Sequence, residues 1–187
     1  GYSLSNIFQL EIDTGSFNNV NLVGNKHPIL EKTYLRKNNF NYRFGGKLLL
    51  LSPQKNDSFW SSLKTTVGRN NDNSQGYLFS EFINTFRVND WIVFNLSPKY
   101  LFSGVKSIGA LGVSSYISLF DNVMLIPEIN TSIKNDSDFN SSLALRYSFQ
   151  KGKSIDLYYS NAAGIQDIGQ LFEDRNNRFG LKLNLLY

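Results

Sequence analysis

Charged side chains recur on one side of alternating apolar and polar stretches, and they are the first candidates for chemistry in this sequence. If they meet in one interior, basic groups outnumber acidic ones there, and a basic pore lining favours anions. The alternative is an interior filled by its own side chains, in which the charges pair with one another. The residues are Arg43, Lys47, Lys64, Glu128, Arg146, Asp156, Arg178 and Lys182.

Catalytic and metal chemistry finds little support in the sequence. The chain has no cysteine, which excludes thiolate metal sites, a cysteine nucleophile and a disulfide framework. His27 is the only histidine, and Glu31 is the one carboxylate close to it in sequence. A serine triad or a carboxylate pair need not be local in sequence, but no pattern points to one. We therefore predict no enzyme activity, no metal site and no cofactor.

The overall charge does not suggest a nucleic-acid partner. The chain has 19 Lys and Arg against 15 Asp and Glu, a net charge of +4 over 187 residues. These charges are scattered, and no run of basic residues forms a patch that would attract a phosphate backbone. We predict no binding to nucleic acid.

The alternation that places these charges is clearest in the last ten residues, 178–187. Arg178, Gly180, Lys182 and Asn184 fall on one side of an extended strand, and apolar residues fall on the other. Leu186 is the exception. The apolar side consists of Phe179, Leu181, Leu183, Leu185 and Tyr187.

Seven further segments from residue 40 onward alternate in the same way. Residues 77–87 are also extended but ambiguous in phase, and residues 6–12 form a weaker strand. The longest aliphatic run, residues 48–51, is far shorter than the roughly 20 apolar residues that a membrane-spanning helix requires. Mean hydropathy is −0.27, which a transmembrane barrel tolerates because lipid-facing and interior residues alternate. The sequence therefore predicts an all-β protein.

The connections between these segments alternate in length. Short ones span residues 88–90, 120–122 and 150–153, and longer ones span 70–76, 98–107, 134–139 and 161–177. This asymmetry is typical of an up-and-down antiparallel barrel that crosses a membrane. We predict a closed transmembrane β-barrel of about ten strands, with eight to twelve as the range.

Two further expectations concern the extent of the chain and its last long connection. Residues 1–187 form a single domain, and the weak first strand leaves room for further barrel residues before Gly1. Residues 161–172 have apolar side chains near helical spacing, which fits either a short helix at the barrel mouth or an irregular loop.

The ending of the chain resembles the C-terminal strand of bacterial outer-membrane β-barrels. In that family a terminal aromatic residue and alternating apolar residues are recognised by the barrel assembly machinery. The block from residue 97 to 187 is also similar to uncharacterised, porin-like barrels, with cyanobacteria as one candidate source among Gram-negative bacteria. The resemblance implies location in the outer membrane, contact with its lipid and passage of small solutes. The basic interior residues, and not the resemblance, indicate anionic solutes. The resemblance supplies no site residues.

Two functions remain open at this point. The first is an outer-membrane barrel that acts as a small passive channel or as a structural or surface protein with a weakly basic interior. The second is a soluble lipocalin-like barrel that binds a small apolar ligand. The direction of Leu181, Leu183 and Leu185 distinguishes them, because these side chains point outward in a membrane barrel and inward in a ligand cup.

Overall fold

A computed structural model describes residues 2–3, 8–16, 40–52, 58–70, 76–103, 107–133, 139–162, 167–171 and 173–185. These residues form one antiparallel sheet in which each strand pairs with the next along the chain. The described chain also contains a 3₁₀ helix, Asp167–Leu171, and no helix in it has the length and apolarity needed to cross a membrane. The strands are β1 (Tyr2–Ser3), β2 (Phe8–Ser16), β3 (Phe40–Leu51), β4 (Phe59–Asn70), β5 (Gly76–Arg87), β6 (Ile92–Phe102), β7 (Ser107–Phe120), β8 (Val123–Ser132), β9 (Phe139–Gln150), β10 (Lys153–Ala162) and β11 (Glu173–Leu185).

The all-β class and the up-and-down order are confirmed, with ten long strands preceded by the two-residue β1. The first long strand differs from the prediction, because it runs through Ser16 instead of ending at residue 12. It pairs with β3 without interruption, from Phe8 opposite Leu48 to Ser16 opposite Phe40. Pairing with residues 40–48 of β3 thus overrides the turn-forming residue types at the end of β2.

Pro98 lies inside β6, whereas the sequence predicts a connection that starts there. Proline has no N–H to donate, and the β5–β6 ladder is interrupted beside the Glu81–Lys99 pair while its register stays unchanged. Pro98 remains paired with β7 on its other side. The proline therefore removes a ladder contact without ending the strand, and Lys99 belongs to β6.

Closure into a barrel is not found among the described residues, and in this respect the prediction is wrong for them. The outer edge of β2 is paired only with Tyr2 and Ser3, and β11 pairs with β10 alone within the described chain. Alternation specifies which face a residue takes, but closure depends on the length and stagger of the first and last strands. The sequence pattern does not specify that stagger, and for this reason the prediction of closure failed. The described sheet has two free edges.

The sheet is nevertheless strongly curled. Strands lie about 4.8 Å apart, so a flat sheet would separate β3 from β10 by about 34 Å. Asp167 comes five residues after Ala162, the end of β10, and five residues span about 17 Å at most. Yet the Asp167 carboxylate lies 3.0 Å from Arg43 of β3. The sheet must bend around the 3₁₀ helix, which lies on its inner face.

The two faces of the curled sheet differ in chemistry. The inner face has buried polar and charged side chains, together with a small apolar cluster centred on Phe79, Leu101 and Ile108. The outer face is apolar and exposed on every strand from β3 to β11. Its exposed members include Phe44, Leu48, Leu63, Val67, Leu78, Phe82, Phe94, Phe102, Ile129, Leu143, Leu145, Leu157, Leu181 and Leu183.

Candidate functional site

Register brings the inward charges of neighbouring strands into rows. Residues directly opposite on paired strands share a face, and Lys47, Lys64, Glu81 and Lys99 are opposite one another in turn from β3 to β6. The like charges of Lys47 and Lys64 face each other, which is unfavourable, whereas Glu81 lies between two lysines. We call these four residues the first charged row.

Lys99 is the most buried member of the first charged row, with 4% of its surface exposed. Its ammonium group lies 3.4 Å from Glu81 and 3.5 Å from Glu128. It also donates hydrogen bonds to the side-chain oxygens of Asn130, at 2.6 Å, and Gln170, at 2.9 Å. A buried ammonium is tolerated only with such partners, and the cluster connects β5, β6 and β8 with the 3₁₀ helix.

Two asparagines extend this cluster to β9. The Asn130 amide donates to Glu128, at 2.9 Å, and to the Asn140 side-chain oxygen, at 3.2 Å. The Asn140 amide in turn donates to the backbone oxygen of Gln170, at 2.6 Å. Gln170 of the 3₁₀ helix therefore accepts hydrogen bonds from Lys99 of β6 and from Asn140 of β9.

Asp167 fixes the other end of the 3₁₀ helix to β3, β4 and β5. Its carboxylate is buried and lies 3.0 Å from Arg43, 3.6 Å from Lys64 and 3.2 Å from the Tyr77 hydroxyl. The Asp167 backbone has φ = 45°, a left-handed conformation that aspartate tolerates better than most residues. Such a conformation persists where contacts over-determine it, and these three contacts do so. We call Arg43, Lys64 and Tyr77 the cradle.

A second charged row crosses β9, β10 and β11. Arg146 and Lys182 are both directly opposite Asp156 in the ladders. The Arg146 guanidinium binds both carboxylate oxygens of Asp156, at 2.7 and 2.8 Å, and the Asn184 amide donates to the same carboxylate at 2.9 Å. Two-pronged pairing of this kind is among the strongest charge-assisted contacts.

A cavity of about 230 Å³ lies between this second row and the 3₁₀ helix. Its walls come from β7 to β11 and from Gln170, and they combine two tyrosine rings with amide, hydroxyl and charged groups. The lining includes Tyr116, Glu128, Asn130, Asn140, Ser142, Arg146, Asp156, Tyr158, Gln170 and Lys182. This cavity leaves open space in the interior on the β8–β11 side.

The predicted interior residues fall into three groups in this arrangement. Arg43 and Lys64 meet at Asp167, Glu128 joins the Lys99 cluster, and Arg146, Asp156 and Lys182 form the second row. Lys47 has an inward position in the first row, and no carboxylate among the described side chains pairs with it. Arg178 lies on the inner face opposite Ser160.

The predicted assembly signal is only partly visible. Phe179, Leu181 and Leu183 are 77%, 71% and 54% exposed on the outer face of β11. The side chain of Leu185 and the whole of Tyr187 lie outside the described residues, as does His27.

Three residues at the centre of the site are absent from the sequence-based set. The sequence predicts a connection over residues 98–107, which includes Lys99, and the ambiguous phase of residues 77–87 does not place Glu81 on the inner face. Asp167 lies in the last long connection, where a period-two pattern has no meaning. The near-helical spacing of residues 161–172 was the one available signal for it.

Chemically, the interior can fix the 3₁₀ helix in place and present a basic surface to small polar solutes. Among the described side chains of the inner face, the basic ones, including Lys99, outnumber the acidic ones, which are Glu81, Glu128, Asp156 and Asp167. In the described part of the chain, no group of three or more His, Asp or Glu residues could hold a metal ion.

Gly112 should be essential to this packing. A Cβ added there would lie 2.6 Å from the Asn130 oxygen and 2.8 Å from Lys99 Cε, so Gly112→Ala should displace the Lys99 cluster and cost about 1–3 kcal/mol of unfolding free energy. Gly109→Ala is the matched control on β7, because nothing lies within 4 Å of its added Cβ. Denaturant titration of both variants measures the difference. Equal stabilities would contradict the assigned path of the Lys99 side chain.

Comparison with known proteins assigns no family or function to this arrangement. No protein-family model matches the chain, and no curated protein matches it significantly.

Proposed function

We propose that this protein is an outer-membrane β-barrel of a Gram-negative bacterium, with a passive and non-enzymatic role. Its interior would act as a narrow, weakly basic path for small anionic solutes, restricted by the 3₁₀ helix. Its partners would be the outer-membrane lipid around it and the machinery that assembles barrels.

The observation that carries this proposal is the inverted distribution of side chains. Lys99, Asp156 and Asp167 are buried on the inner face, at 4%, 5% and 1% exposure, whereas Leu157 and Leu181 on the outer face are 51% and 71% exposed. Soluble proteins rarely expose contiguous apolar patches larger than a few hundred Å². An apolar outer band is instead what lipid solvates in a transmembrane barrel.

The same observation weighs against the lipocalin-like alternative. A cup for an apolar ligand needs an apolar interior and a polar exterior. Leu181 and Leu183 point outward here, and the cavity is lined by charged and amide groups instead. The distribution of side chains therefore favours the membrane protein among the two candidates.

The two sheet edges are consistent with closure in the membrane. Unpaired backbone N–H and C=O groups cost several kcal/mol each in hydrocarbon, so only closed barrels span as sheets. The curl already brings the β10–β11 connection to β3. In lipid the edges of β2 and β11 would therefore be driven to pair, either directly or through residues outside the described chain.

Exposed aromatic side chains at the short turns support the same orientation. Trp91, in the β5–β6 turn, and Phe120, at the end of β7, are 62% and 74% exposed. Amphipathic and aromatic rings concentrate at membrane–water interfaces. The short turns would then lie at one interface and the 3₁₀ helix near the other.

Partition between buffer and detergent is the first test of this proposal. We expect the purified chain to stay monodisperse only with detergent or lipid, because the outer band of the sheet is apolar. Monodisperse protein in buffer alone would contradict membrane insertion and favour the ligand cup.

Leu157→Arg tests whether the outer face contacts lipid. An arginine near the middle of the bilayer should cost about 2–4 kcal/mol in a barrel folded into lipid vesicles. On a water-exposed surface the same change would alter the unfolding free energy by about 0.5 kcal/mol or less. Ser142→Arg is the control, because Ser142 lines the cavity opposite Glu128. Equal effects of the two variants would count against a lipid-facing β10.

Conductance in planar bilayers tests the solute path. We expect small steps that favour anions, because basic groups predominate among the described side chains of the inner face. Lys47→Glu combined with Lys182→Glu should move the reversal potential toward cations, whereas Lys151→Glu, in the β9–β10 turn, should not. An unchanged reversal potential in a conducting double variant would rule out these lysines as part of the path.

A further inference from the structure

The cavity between the second charged row and the 3₁₀ helix has a central row of apolar and aromatic side chains. Ile126 of β8, Ala144 of β9 and Tyr158 of β10 are opposite one another in turn. Tyr116 continues this row on β7, as the register of the β7–β8 ladder requires. All four residues line the cavity. The row thus has a tyrosine ring at each end and two aliphatic side chains between them.

Two small residues leave space in the middle of this row. Ala144 has only a methyl group as its side chain. Tyr158 is opposite Ala144 on one side and opposite Gly180 of β11 on the other. A Cβ added at Gly180 would overlap the Tyr158 ring, so the ring lies over β11. The Tyr158 ring is therefore turned away from Ala144, and the space above the alanine stays open.

Polar rows flank the central row on both sides. Residues two apart along a strand share a face and lie about 7 Å apart. The second charged row is two residues from Ala144 in one direction. In the other direction lie Glu128, Ser142 and Ser160, which are opposite one another in turn. A ligand above Ala144 would thus meet an apolar surface beneath it and hydrogen-bonding groups on two sides.

The described charges around the cavity balance one another. Glu128 and Asp156 line it together with Arg146 and Lys182, which makes two negative and two positive groups. The basic excess among the described side chains of the inner face is thus absent at this cavity. An ion would bring a net charge into it, and burial of an uncompensated charge is costly. The balance therefore favours a neutral ligand.

Polar groups of the lining have capacity to bind hydroxyl groups. Among the described residues, Lys99 and Asn130 both contact Glu128 at Oε1, so its Oε2 can accept a further hydrogen bond. The hydroxyls of Ser142 and Tyr116 also line the cavity, and each can donate as well as accept. A ligand with several hydroxyl groups matches this mixture, because each of them also donates and accepts.

We propose that this cavity binds a neutral sugar of monosaccharide size. The C–H faces of the sugar ring pack on Tyr116, Tyr158 and Ala144, and its hydroxyls form hydrogen bonds with the two polar rows. The volume of about 230 Å³ equals that of about eight water molecules. It is smaller than the roughly 300–1,000 Å³ of sites for drug-sized ligands, so it suits one sugar ring. This inference goes beyond the proposed solute path, because it requires neither passage through a membrane nor a charged solute.

The test is binding of D-glucose, D-galactose and D-mannose, measured by saturation-transfer NMR in a detergent without a sugar headgroup. We expect at least one of these hexoses to bind saturably. Its affinity should change by less than about twofold over a tenfold increase in ionic strength, because the ligand is neutral. D-glucuronate is the anionic comparison. Absence of saturable binding for every hexose, or binding of glucuronate alone, would overturn the proposal.

Ala144→Leu tests whether the sugar occupies the cavity. The larger side chain extends into the open space of the central row and should weaken binding by about tenfold or more. Ser141→Leu is the matched control, because Ser141 is exposed on the outer face of the same strand, opposite Ile129. Equal affinities of the two variants would reject the cavity as the site.

A second pair of variants does not depend on the folding of Ala144→Leu. Tyr116→Ala removes one of the two rings and should weaken binding by about tenfold. Tyr116→Phe keeps the ring and should bind the sugar more tightly than Tyr116→Ala does. Wild-type affinity in Tyr116→Ala, or an equal loss in both variants, would contradict packing of the sugar on this ring.

These measurements also separate this inference from the proposed function. They need neither a bilayer nor conductance, and a chain that is monodisperse without detergent can be titrated in buffer. Failure of membrane insertion would therefore leave the sugar measurement intact. Absence of sugar binding would likewise leave the conductance of anions to be measured on its own.

Discussion

The ion pairs of Asp167 with Arg43 and Lys64 are the contacts on which the curled shape of the sheet depends. They join the connection between β10 and β11 to β3 and β4, which lie near the other end of the strand order. Separation of the carboxylate from its two cations would leave buried, unpaired charge, at a cost of about 3–5 kcal/mol. The curl and the position of the 3₁₀ helix therefore support each other.

The register of the strands also places opposite charges next to each other across the rest of the inner face. Asp156 is opposite Arg146 and Lys182, and Glu81 is opposite Lys64 and Lys99. A shift of one residue would move these charges to the apolar outer face, so side-chain alternation and ion pairing select the same register. Gly112 provides the room in which the Lys99 side chain crosses to β8. Charge inside this sheet is thus a determinant of the fold as well as a property of the candidate site.

The sequence predicted most of the strands and their order, but it did not predict the side-chain contacts at the centre of the interior. Period-two patterns and alternating connection lengths predicted the strands, their order and the inward positions of Arg146 and Asp156, because these features are local. Closure was predicted wrongly for the described chain, since it depends on strands at opposite ends of the sequence. Asp167 and Lys99 were missed for a related reason. Their roles come from contacts 124 and 71 residues apart, with Arg43 and Gln170, which no local pattern encodes.

The described interior has two unlike halves, and in the proposed channel this difference bears on where a solute would pass. Between β3 and β6 lie the first charged row, the cradle and the buried Phe79 and Leu101. Between β8 and β11 the cavity of about 230 Å³ remains. Pairing of the free β11 edge in a membrane would turn this cavity into part of an enclosed lumen. A solute would then pass along Arg146, Asp156 and Lys182, and the width of its path would depend on how far Asp167 and Gln170 hold the helix toward β3 and β6.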